Sequence, residues 1–99
     1  MIPSFEVHRA ADRRLVILAL LSHATGYSDN EYLIHAVLPE QGHDISRDKL
    51  AAELAWLQEQ GLITTTKVGG VTIAKLTPRG LDVARGRATV PGVKRPEPD

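Results

Sequence analysis

Apolar residues recur along this chain first with a helical period and later with a strand-like one, and the change falls at Gly61. The segment from about Val7 to Ser22 carries Leu15, Val16, Ile17, Leu18, Leu20 and Leu21, which cover nearly every side of a helix. "HATGYSD", with Gly26, breaks it. A second helix opens at "SDNE", where Ser28 and Glu31 have the spacing of a capping box. Pro39 cannot donate to a helix ladder and biases Leu38 away from helical dihedrals, so this helix frays near Leu38 and ends by Gly42. A third helix starts at "ISRD" with Ser46 as its cap and stops at Gly61. At 100° per residue its Leu50, Leu54 and Leu57 fall within about 60° of one another, a narrow core stripe. The far side holds Asp48, Ala52, Ala55 and Glu59, with Lys49 and Trp56 at its flank.

After Gly61 come "LITTTKV", "GG" and "VTIAKL", two β-rich runs around a two-glycine turn that predict a hairpin, because paired positive φ angles cost glycine little. "LTPRGLDVARG" predicts a short last helix with Thr77 as cap and Pro78 at its first position. "ATVPGVKRPEPD" holds three prolines and a glycine and cannot build a core by itself. The expected organisation is one domain over residues 1–88 and a flexible tail over 89–99, without internal repeats.

A chain of 99 residues buries a modest single core. It has no cysteine, which excludes disulfides and thiolate zinc sites and suits a reducing cytoplasm. The run "LVILALL" is far shorter than the roughly 18 residues of a membrane span, so neither anchor nor signal peptide is expected. Formal net charge is zero, but the balance conceals a split. From Ser28 to Gln60 seven acids stand against two bases; from Gly61 to Arg95 seven bases stand against one acid, Asp82.

The chemistry of a catalytic or metal site is hard to assemble from these residues. His8, His23, His35 and His43 include no i, i+4 pair, so no metal is expected. Ser, His and Asp occur without a nucleophile elbow, and the glycines at 69, 70 and 80 are turn residues rather than a phosphate cradle. No enzyme activity and no cofactor are expected. A helix apolar all round needs cover on both sides, and a second copy would supply it through Leu15, Ile17, Leu18 and Leu21 in a homodimer. Trp56, off the leucine stripe, either packs against the hairpin or the first helix or anchors a partner.

Three helices, a helix-to-helix turn and a hairpin make a mainly α chain with a winged helix-turn-helix arrangement. "LAWLQEQGLITTTKVGGVTIAKLTPRG" resembles the third helix and wing of the MarR, PadR and ArsR regulator superfamily. More narrowly, "ISRDKLAAELAWLQEQGLI", "LTPRGLDVARGRATVPGVKRP" and "DNEYLIHAVL" resemble a family of small winged-helix proteins of Mu-like phages and prophages, over nearly the whole chain. The resemblance implies a phage-encoded protein in the cytoplasm of a bacterial host and carries over no base-reading residues.

Two functions follow as expectations. A transcriptional regulator would hold DNA phosphates chiefly with Lys67, Lys75 and Arg79 near the hairpin and with Arg85, Arg87, Lys94 and Arg95 as an arm. Arg47 and Lys49 on the third helix would contribute less, being offset by Asp48, Glu53 and Glu59. The alternative is an interaction factor whose acidic face meets a basic host or phage protein.

Overall fold

The computed structural model describes residues 3–98. It holds four α-helices and a three-stranded antiparallel sheet, in the order α1 (Pro3–His23), β1 (Ser28–Asn30), α2 (Glu31–Val37), α3 (Arg47–Glu59), β2 (Ile63–Val68), β3 (Val71–Leu76) and α4 (Pro78–Ala84). Short 3-10 turns at Thr25–Tyr27 and Leu38–Gln41 flank α2 and its strand.

Helix α1 begins earlier than its apolar pattern does, at Pro3, where a missing N–H costs nothing. The chain then reverses through two consecutive left-handed residues, Gly26 (φ 68°) and Tyr27 (φ 58°), into β1. That strand lies outside the predicted elements. "SDN" has poor β propensity, and the conformation comes from pairing with β3, Ser28 opposite Lys75 and Asn30 opposite Ile73. The expected capping box is displaced for the same reason. With Ser28 drawn into the sheet, Asn30 caps α2, its Oδ1 accepting from the Leu33 N–H at 2.9 Å. Glu31 instead accepts from the backbone N–H of Thr72 on β3.

The other predicted boundaries hold. Ser46 Oγ accepts from the Lys49 N–H at the start of α3, and Gly61 (φ 74°) ends it. Thr77 Oγ1 accepts from Gly80 N–H to cap α4 and donates to the carbonyl of Gly61, joining the ends of α3 and α4. At Gly80 a Cβ would sit 1.9 Å from the Leu62 carbonyl oxygen, so only glycine lets α4 approach the start of β2 this closely. The sheet order is β1-β3-β2.

One core joins the four helices with β2 and β3. Ile17, Leu18 and Leu21 of α1 are wholly buried beside Ile34, Leu38, Leu50, Leu54 and Leu57, the sheet residues Ile63, Ala74 and Leu76, and Val83 of α4. This corrects the expected dimer surface: within one chain Ile17, Leu18 and Leu21 have no area left to offer a second copy, and Leu15 is half-buried against the same cluster.

The tail departs from expectation in the same direction. Val90 and Val93 belong to the core, and the Lys94 N–H donates to the Ala11 carbonyl at 3.1 Å. Residues beyond 88 thus close over α1, and their ordering is offset by apolar burial against the chain itself. No helix among the described residues is long and apolar enough to cross a membrane.

Candidate nucleic-acid interface

The middle of the outward face of α3 carries the short side chains of Ala51, Ala52 and Ala55, with longer polar side chains at its two ends. Leu50, Leu54 and Leu57 are buried, and so is Glu53, only 2% exposed. Its carboxylate accepts from Arg13 Nη1 at 2.7 Å and from Arg14 Nε at 3.0 Å. The adjacent arginines Arg13 and Arg14 directly before the apolar run of α1 are the sequence signal for such a pair, since a buried cation needs an acid. The expectation that Glu53 adds negative charge to the outer face is thereby corrected. The exposed charges of α3 are Arg47, Lys49, Asp48 and Glu59, a balanced set.

Between this face and the hairpin runs a groove of about 280 Å³, lined in part by Ala51, Ala55, Gln58, Thr65, Lys67 and Thr72. Thr65 Oγ1 donates to Gln58 Oε1 across it. At one end Arg47 stacks on Tyr32, its guanidinium carbon 4.6 Å from the ring centroid. Between Arg47 and Lys67 stands Glu31. The backbone hydrogen bond from Thr72 and the nearby charges of Lys67 and Arg47 outweigh partial desolvation and hold its carboxyl below the usual glutamate range. Tyr32, Glu31 and Thr72 were not legible as site residues, because only folding brings α2 and β3 beside α3.

The remaining basic residues do not converge on this groove. Strand alternation puts Lys67, opposite Thr72, on the α3 side of the hairpin; Lys75, opposite Thr64, belongs to the other face. Arg79 Nε donates to the Gln60 carbonyl at 3.4 Å, at the C-terminal end of α3. Arg85 and Arg87 are exposed at the end of α4. Lys94 lies 3.5 Å from Asp12 and 3.6 Å from Glu97, and Arg95 is exposed beside it in the tail. The hairpin set expected from Lys67, Lys75 and Arg79 and the arm expected from Arg85, Arg87, Lys94 and Arg95 are therefore dispersed over several faces.

Trp56 is engaged within the chain. The Arg14 guanidinium lies over its ring, and Arg14 Nη1 donates to the Gly92 carbonyl at 3.0 Å, so the tail occupies the position considered for a partner. On the other side of α1, Asp12 Oδ2 accepts from His43 Nε2 at 2.7 Å beside a cleft of about 480 Å³ formed with Arg9, Gly42 and Lys94. Burial pushes the Asp12 carboxyl up, but the His43 hydrogen bond and the Lys94 charge prevail and leave it below its ordinary value. No cluster of three potential metal-ligating side chains occurs among the described residues.

No protein-family profile matches the chain, and no solved structure does. It is 46% identical over 87 residues to protein gp26 of Escherichia phage Mu, covering 88% of this chain and 90% of that protein. It is also 46% identical over 79 residues to a protein of Haemophilus influenzae, covering 79% of this chain and 76% of that one. Both relatives are named as uncharacterized proteins.

Proposed function

This chain belongs to the family of protein gp26 of Escherichia phage Mu, and from that premise we propose that it is a winged helix-turn-helix protein that binds double-stranded DNA as a regulator in the host cytoplasm. Three helices before a β2–β3 hairpin, with β1 paired to β3, support this reading, in which β2 and β3 form the wing. The observation that carries it is the α3–hairpin groove. Ala51 and Ala55 in the groove, with Ala52 exposed beside them, let the α3 backbone come close to a duplex, while Lys67 lines the groove and Arg47, near Glu31, is exposed to meet phosphates. With Glu53 withdrawn into the core, α3 is not the acidic scaffold that its composition suggests, and the balance of contact shifts from the tail toward α3 and the α3 side of the wing.

The test is anisotropy of a labelled duplex at two salt concentrations. Replacing Arg47 or Lys67 by Ala should weaken binding and flatten the slope of log affinity against log salt by about 0.9 for each lost phosphate contact. Absence of binding to any duplex at low salt would overturn the reading.

A further inference from the structure

Helix α2 is amphipathic in reverse. Its polar side chains are spent on contacts within the chain: Glu31 accepts from the Thr72 N–H, and His35 Nε2 is hydrogen-bonded to the Ile45 carbonyl at 2.7 Å. Its apolar side chains face outward instead, with Tyr32 46% and Leu33 47% exposed and Ala36 exposed beside them. The core does not require this arrangement, because Ile34 alone supplies the buried contact of α2. A surface helix that faces water ordinarily shows the opposite order. Beside this face lies a small groove of about 60 Å³ between α1 and α2, lined by Leu20, Leu21, Leu33, Ile34, Val37 and Asp29, which can receive the end of one aliphatic side chain.

The surrounding charge selects the occupant. From Ser28 to Asp44 the chain contains four acids and neither lysine nor arginine. Glu31 is used internally; Asp29 lines the groove, and Glu40 and Asp44 are exposed beyond the end of α2. Arg47 stacks on Tyr32, but the charges of this stretch itself are acidic, so a phosphate backbone is repelled, whereas an apolar ridge flanked by lysine or arginine is complementary in both respects. Strand addition at the adjoining β1 is disfavoured, since the Asn30 N–H is already taken by the Asp29 carboxylate at 2.9 Å. We infer that the outer face of α2, with the α1–α2 groove, docks a basic amphipathic helix of another protein. This surface borders the α3–hairpin groove at Tyr32, on which Arg47 stacks, but its anchor Leu33 lines the α1–α2 groove instead, so the inference stands whether or not the chain binds DNA.

The probe is a fluorescent helical peptide of leucine and lysine with a single apolar ridge, beside the same peptide with glutamate for lysine. Titration into isotope-labelled protein should move the amide resonances of Tyr32, Leu33, Ala36 and Val37, and the glutamate peptide should not bind. Leu33→Asp, at an exposed site, should lower affinity at least ~10-fold, as loss of an interface anchor does, with the melting temperature retained. Asp29→Asn with Glu40→Gln should weaken binding and reduce its salt dependence. Resonance shifts spread over the hairpin and α4, or affinity indifferent to Leu33→Asp, would overturn the proposal. So would a dimer of the parent that Leu33→Asp converts to monomer, which assigns the face to a second copy. Loss of duplex binding on Leu33→Asp would assign it to the nucleic-acid surface instead.

Discussion

The guanidinium of Arg14 lies 4.0 Å from the ring centroid of Trp56 and joins three separated parts of the chain at one point. Arg14 belongs to α1, Trp56 to α3, and the Gly92 carbonyl that accepts from Arg14 belongs to the tail. Gly92 has φ 96°, and a Cβ there would approach Trp56 Cζ2 to 2.8 Å. Gly92→Ala should therefore lift the tail as well as strain the backbone. Deleting the residues after Thr89 removes Val90 and Val93 from the core, a loss of roughly 2–4 kcal/mol of apolar burial. For a domain of this size the melting temperature should fall by about 10–20 °C, readable by circular dichroism. An unchanged melting temperature would mean that the tail contributes nothing to the fold.

Glu53 neutralises Arg13 where both are nearly inaccessible to water. Glu53→Ala should destabilise by about 3–5 kcal/mol, because it strands a buried cation. The double variant Arg13→Met with Glu53→Leu should recover much of that loss, since neither charge is then desolvated. Urea unfolding of the two variants measures the difference, and a double variant as unstable as the single one would show that the pair's geometry matters beyond its charge.

Asp12 gives the acid limb of stability a defined source. Its carboxyl is held below the ordinary aspartate value by His43 and Lys94, against the effect of burial. A carboxyl whose pKa is depressed on folding stabilises above its unfolded pKa, and that contribution disappears as pH falls through the lower, folded pKa. Stability should therefore drop on acidification from the ordinary aspartate range downward, and Asp12→Asn should make this limb shallower. Urea midpoints measured across that range for both proteins provide the check; identical slopes would remove Asp12 from the account.

Lys67 and Lys75 occupy opposite faces of one hairpin, so substituting them separates two modes of the proposed DNA contact. Lys67→Ala should weaken duplex binding with a reduced salt slope, while Lys75→Ala should leave both close to the parent. Glu59→Gln, on the exposed face of α3, should tighten non-specific binding; Glu53→Gln should give no comparable gain, its charge being already neutralised within the core. Parity of the two lysine variants would return the contact to the hairpin as a whole.

Local chemistry alone determined the elements with short-range causes: Ser46 before α3, Thr77 and Pro78 at α4, Gly61 between helix and strand, and the glycine pair at the hairpin. The leucine stripe of α3 was legible because period and burial coincide there. Tertiary structure decided what depends on partners distant in sequence. β1 exists because β3 lies beside it, and that pairing moves the cap of α2 from Ser28 to Asn30. Glu53 is an interior counter-ion because α1 brings Arg13 and Arg14 to it, 40 and 39 residues away. Charge counted along a chain cannot distinguish such an acid from a solvated one. The apolar excess of α1, equally compatible with a second copy, is covered instead by the sheet, α4 and the valines of the tail. Periodicity states which faces must be buried, but three-dimensional packing selects what buries them.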